Sequence, residues 1–176
     1  MAFRSRRWLL GSGAAIAIVG IPMLDEFADA AAKANPEDLA MLNSAIELER
    51  AGIKAYDDAA DTRLLSPRVL DVALGFRNDH VAHRDALSAA VKAGGAYLST
   101  NTASIAYPPL HSQADILRFA LAIEKQAAST YLSVIPDLAD RRLAQVAAAI
   151  LGVETTHVSK LADALGAHAY PQGFVV

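Results

Sequence analysis

The sequence predicts an all-α protein: an antiparallel four-helix bundle with a long crossover between its second and third helices. Three observations predict it. The 176 residues are 53 % hydrophobic but only 6 % aromatic, and they are rich in alanine, a mix that suits closely packed helices better than sheets. Four stretches each carry apolar residues alternating three and four apart, the spacing of a helix face turned to a core. Each stretch is bounded by residues that start or stop helices.

Residues 1–30 read as an export segment ahead of the bundle, which takes up residues 31–176. Arg4, Arg6 and Arg7 form a basic start, and Trp8 to Leu24 is an uncharged apolar run of about 17 residues. Ala28-Asp29-Ala30 follows as an Ala-x-Ala cleavage pattern, with Ala32-Lys33-Ala34 as a second choice. The detail Ser5-Arg6-Arg7-Trp8-Leu9-Leu10 resembles a twin-arginine (Tat) signal peptide. That resemblance implies the Tat export machinery as a partner and a periplasmic destination, reached by a folded chain with its cofactor in place. A retained signal would instead be an N-terminal membrane anchor, since the run lies at the lower edge of spanning length. The mature form carries no other candidate span.

The first helix starts at Asn35-Pro36-Glu37-Asp38, with Asn as cap, Pro in the first turn and acids behind it. It runs to Asp61 on a seam of Leu39, Leu42, Ile46, Glu49, Ile53, Tyr56 and Ala60. Ser66-Pro67 opens the second, which stops at Gly94-Gly95. Its seam is Val69, Ala73, Phe76, His80, His83, Leu87 and Ala90. Residues 94–112, with Gly, Ser, Thr, Asn and Pro108-Pro109, form the long connection, in which no strand is expected. Ser112-Gln113-Ala114-Asp115 starts the third helix, which Pro136 stops. Leu117, Ala120, Glu124, Ala127, Tyr131 and Val134 make its seam. The fourth helix is expected from Asp137 to Leu165, on Leu143, Ala147, Ile150, Glu154, His157, Leu161 and Ala164. A short extended tail, His168 to Val176, closes the chain.

Six polar residues stand in these apolar seams: Glu49, His80, His83, Glu124, Glu154 and His157. Charged groups buried without partners are costly, so they should meet one another. They also repeat. Glu49 and Tyr56 match Glu124 and Tyr131 at an offset of 75, and His80-x-x-His83-x-x-x-Leu87 matches Glu154-x-x-His157-x-x-x-Leu161 at an offset of 74. Tyr56 and Tyr131 are either core tyrosines with a satisfied hydroxyl or supports for the polar site. Glu47 reads as solvated, Asp79 lies about 100° round its helix from His80, and His111 and His168 read as surface histidines.

One Glu from each of two helices and a Glu-x-x-His from each of the other two resembles the ferritin-like superfamily, over residues 36 to about 165. Within it the chain is most similar to small Tat-exported bacterial proteins. The resemblance implies metal ions as the ligand and a site formed by Glu49, His80, His83, Glu124, Glu154 and His157, with no catalytic group beyond the metal ligands. It implies redox chemistry, such as iron oxidation or reaction with oxygen or peroxide. The alternatives are metal storage or buffering without turnover, or a stress-protective bundle with a decayed site. It also implies homo-oligomers. Position 80 departs from the pattern: the family has a glutamate able to bridge two metals, and a neutral imidazole does not bridge in that way. Iron is the first expectation for the cofactor, mono- or dinuclear, with manganese, zinc or copper also suited to the donors.

Bulk properties remove other classes. There is no cysteine, which excludes disulfides, thiolate metal sites and a cysteine nucleophile. The formal net charge is -3, with no basic stripe along the bundle, which argues against nucleic acid as a partner.

Overall fold

A computed structural model describes residues 22–167, with side chains from Phe27 onward. The twin-arginine segment, His168 and the C-terminal tail lie outside the described residues. Five α-helices follow in order: α1 (Pro22–Ala31), α2 (Pro36–Asp61), α3 (Pro67–Ala93), α4 (Gln113–Val134) and α5 (Arg141–Ala164). The last four are the expected bundle, and no strand occurs among the described residues.

The caps work mostly as read. Asn35 accepts from the Asp38 amide and Ser112 from the Asp115 amide. Ser66 holds the cap position of α3, but its side chain makes no capping bond. Instead its backbone N–H donates to Gln113 Oε1 at 2.8 Å. The fourth bundle helix starts later than expected. Ile135–Asp137 is a single 3₁₀ turn around Pro136, and α5 begins at Arg141. Asp140 is its true cap, accepting from the amides of Arg142 and Leu143.

Asp38 has a larger task than an acid in a first turn. Its carboxylate is buried and accepts from the amides of Ala139 and Asp140, each at 3.0 Å. It therefore clamps the start of α2 to the turn before α5. Asp38→Ala would orphan two amides at about 1–3 kcal/mol each. We expect a melting temperature lower by roughly 4–24 °C, against little change for the exposed Glu37→Ala in the same thermal scan.

Two apolar clusters bracket the middle of the bundle. One contains Ile46, Leu87, Tyr131 and Ile150; the other contains Tyr56, Phe76, Leu117 and Leu161. Along α2 and α5 the chain passes from the first cluster to the second, and along α3 and α4 it passes the other way. So α3 and α4 run parallel, and the link between them must travel the length of the bundle. This is why residues 94–112 form a long crossover. It is strapped to one face of α2 by residues at helical spacing. Asn43 bonds Tyr97 O and the Ser99 amide, and Arg50 bonds the carbonyls of Ser99 and Asn101. Glu47 accepts from Ser99 Oγ at 2.5 Å, so it is a half-buried anchor rather than a solvated neighbour.

Helix α1 was not expected. Phe27, Ala30 and Ala31 are buried in the first cluster. Gly94 permits the approach: a Cβ there would lie 2.8 Å from Ala31 O. At the far ends, Ala60 is half-buried and Ala164 exposed, with Ala59 and Ala162 buried in their place. Among the described residues no helix is long and apolar enough to cross a membrane.

Candidate metal centre

Each bundle helix delivers its polar residues to the layer between the two apolar clusters. Glu49 comes from α2, His80 and His83 from α3, Glu124 from α4, and Glu154 and His157 from α5. All except His83 are buried, and the His83 side chain is 12 % exposed. The six fall into two groups that could each hold an ion: Glu49, His80, His83 and Glu154; and His80, Glu124, Glu154 and His157. His80 and Glu154 belong to both.

The distances have the scale of coordination shells. Ligands about 2.1 Å from a shared ion stand about 3.4 Å apart when tetrahedral. In the first group, Glu49 Oε2 is 2.7 Å from His80 Nδ1 and 3.6 Å from His83 Nδ1. Glu154 Oε1 is 3.2 Å from His83 Nδ1 and 3.8 Å from His80 Nδ1. In the second, Glu124 Oε1 is 3.4 Å from His80 Nε2, and Glu124 Oε2 is 3.4 Å from His157 Nδ1. Glu154 Oε2 is 3.6 Å from His157 Nδ1.

The donor set fits metal ions on a further count. His83 Nδ1, Glu124 Oε2, both Glu154 oxygens and His157 Nδ1 are buried without a hydrogen-bond partner. A buried polar atom left unpaired costs about 1–3 kcal/mol. These five converge on the two groups, where an ion would satisfy them together.

The remaining atoms of the ligands are held from outside. The Tyr131 hydroxyl donates to Glu49 Oε1 at 2.5 Å, and the Tyr56 hydroxyl donates to Glu124 Oε1. Both tyrosines therefore support the site, and they do so crosswise: each lies on one glutamate's helix and grips the glutamate of the other. Burial and the neighbouring carboxylates push both phenols well above their ordinary range, so they stay protonated donors.

Asp79 lies off the inward face of α3, as its position about 100° round the helix from His80 implies. Its side chain is 52 % exposed, yet Oδ2 lies 3.0 Å from His157 Nε2. His157 can then carry its proton on Nε2, donate it to Asp79, and turn the Nδ1 lone pair into the site. Phe76 stacks on the same imidazole with centroids 3.9 Å apart. Asp79→Ala is expected to weaken binding about 10–100-fold at the second group only, as read by a chelator-competition titration. An equal loss at both groups would contradict this assignment.

Without metal the imidazoles and carboxylates attract one another as charges. His80 is hydrogen-bonded to Glu49 and Glu124, whereas His83 Nδ1 and His157 Nδ1 stand 3.2–3.6 Å from carboxylates without an aligned hydrogen bond. Burial opposes charge on His80, but Glu124 and Glu49 override it and raise its pKa to about 11. His83 and His157 rise to about 9 against the same burial, each held by two carboxylates. Burial would raise Glu49, but His80 and His83 lower it to about 2. Glu124 is lowered too, by His157 and His80 against its burial. Glu154 is raised, because burial outweighs His157 and His83. His111 stands on the surface, its amide 3.3 Å from Asp115 Oδ2.

The family model described as ferritin-like domain matches residues 37–167. A crystal structure of a conserved hypothetical protein from Mycobacterium tuberculosis is similar, at 25 % identity and a TM-score of 0.64, over 78 % of this chain and 96 % of that one. The chain has no match among curated proteins.

Proposed function

The chain belongs to the ferritin-like domain family, and on that footing we propose that it is an exported metal-binding redox protein with its metal in the bundle core. The observation that carries the reading is the convergence of five unpaired buried ligand atoms on two groups. Glu49, His83 and Glu154 would hold one ion, and Glu124, His157 and Glu154 the other, with His80 between them. Iron suits the carboxylates, and manganese, zinc and copper also fit the donors. A bound redox-active ion supplies one-electron chemistry toward oxygen or peroxide, or receives electrons from ferrous iron.

The chain's own residues bind, orient and enclose. The three carboxylates offset the charge of the ions. Tyr56 and Tyr131 fix two of those carboxylates, and Asp79 fixes the His157 tautomer. The apolar clusters above and below exclude water, which strengthens every charge interaction between them. His83 stands nearest to solvent.

Enclosure also favours a second reading, storage or buffering without turnover. Elemental analysis of protein purified from its native compartment separates these readings from a metal-free one. Less than about 0.1 metal per chain would sink both, measured against the full occupancy expected of a site with buried ligands. Consumption of oxygen or peroxide on adding ferrous iron then distinguishes turnover from storage.

Export through the twin-arginine pathway is supported by the Ser5–Leu10 segment. N-terminal sequencing of the secreted chain tests it. A cut at Ala28-Asp29-Ala30 would remove Phe27, a residue of the buried core.

A further inference from the structure

Within the metal-binding reading, on which this inference rests, we propose that His80 bridges two ions, holding one on each ring nitrogen. The two nitrogens of an imidazole point away from each other, and here each faces a different group. Nδ1 lies 2.7 Å from Glu49 Oε2 and 3.8 Å from Glu154 Oε1. Nε2 lies 3.4 Å from Glu124 Oε1. Glu154 spans the same two groups, with Oε1 toward His83 and Oε2 toward His157.

The ring's seat is shaped for it. A Cβ on Gly52 would stand 3.0 Å from Cε1, Nδ1 and Nε2 of His80 at once, so the imidazole lies across a bare α-carbon of α2. A glycine in mid-helix costs about 1 kcal/mol relative to alanine. Here it leaves room for a flat ring where the helix would otherwise present a methyl. The Tyr56 ring flanks it with centroids 5.6 Å apart. A decayed glutamate position would need neither the cleared α-carbon nor a nitrogen on each side.

Charge balance points the same way. Burying net charge is costly, and two divalent ions need four negative charges. Glu49, Glu124 and Glu154 give three. The fourth comes from the ring. Metal-free His80, held between carboxylates on both sides, carries an N–H on each nitrogen; each ion takes one nitrogen's electron pair, both protons leave to solvent, and the ring remains as imidazolate. Nothing is oxidised or reduced. A ring bridge keeps the ions further apart than a single bridging oxygen would. It also favours nitrogen-seeking ions such as copper and zinc over the oxygen-bridged iron pair.

The test loads the purified full-length chain with copper(II), followed by metal analysis and electron paramagnetic resonance on cooling. Two copper ions should bind per chain, and most of the spin intensity of the first should vanish when the second arrives, through exchange across the ring. In His80→Ala the two ions should give independent spins. Added imidazole should restore the loss of intensity, because it offers two nitrogens, and 1-methylimidazole should not. Two copper ions with full spin intensity in the unsubstituted chain would overturn the bridge and leave metal binding standing, as would binding of a single ion. No copper bound at all would overturn metal binding itself. If His80→Ala fails to fold, His80→Gln, which cannot offer a ring nitrogen to each ion, takes its place in the comparison, and persistent loss of spin intensity in it would assign the coupling to Glu154 and overturn the ring bridge.

Discussion

Glu154→Ala is expected to remove metal from both groups at once, lowering affinity at each by more than about 100-fold. That bound follows from the 10–100-fold effect of losing a supporting partner alone. Glu154 gives Oε1 to the group with His83 and Oε2 to the group with His157. Both oxygens lack any other partner. The substitution therefore takes a ligand and shared negative charge from each site. Folding should survive, because neither Glu154 oxygen holds a hydrogen bond that the substitution would break. A chelator-competition titration reads the loss, and circular dichroism reads the fold. A folded variant that keeps two ions at unchanged affinity would remove Glu154 from the site. Asp79→Ala makes the contrast, since its carboxylate reaches only His157.

Zinc or manganese in excess is expected to raise the melting temperature of the metal-stripped chain by about 8–16 °C. An ion at a thousand times its dissociation constant contributes about 4 kcal/mol, and a chain of this length gains about 2–4 °C per kcal/mol. The effect should depend on pH in a defined direction. His83 and His157 have pKa values raised to about 9, and His80 to about 11, because burial is overridden by the carboxylates. Raised above the ordinary 6.5 or so, these groups stabilise the metal-free fold fully below that value. The contribution is lost as pH rises through 9 toward 11. The metal-free chain should thus melt lower at pH 10 than at pH 7. The metal-induced rise should grow over the same window, since fewer protons compete for the nitrogens. A bundle with a decayed site would show no metal-induced rise at any pH.

The six clustered acids and imidazoles were legible because burial and helical period act on them together. A carboxylate or imidazole at the centre of an apolar seam has nowhere else to face, and the two halves repeat the arrangement. Helix starts were legible at Asn35, Ser66 and Ser112, where a capping-type residue stands with a proline or an acid in the first turn, but not at Asp140, which lies behind the Pro136 turn. The crossover's length follows from the parallel run of α3 and α4, a fact of three-dimensional order that its composition only hints at.

What escaped the sequence depends on register between helices. Tyr56 and Tyr131 were placed on the faces of their own glutamates, but which carboxylate each hydroxyl reaches is set by how α2 lies against α4. Asp79 is exposed and off the seam, and it reaches His157 only because α3 packs beside α5. Glu47 was assigned to solvent because its partners, Ser99 and Asn101, lie about 50 residues away on the crossover. Helix α1 was hidden by the export segment. The spacing of Phe27, Ala30, Ala31 and Ala34 continues a helical apolar face, and that signal could have found it.

The most direct test of the account is a crystal structure of the metal-loaded chain with anomalous scattering recorded at the metal edge. The account predicts two peaks in the bundle core, one bounded by Glu49, His83 and Glu154 and the other by Glu124, His157 and Glu154, with the His80 ring between them. Absence of any peak there, with His83 Nδ1 and His157 Nδ1 bonded instead to water or to the carboxylates, would contradict it.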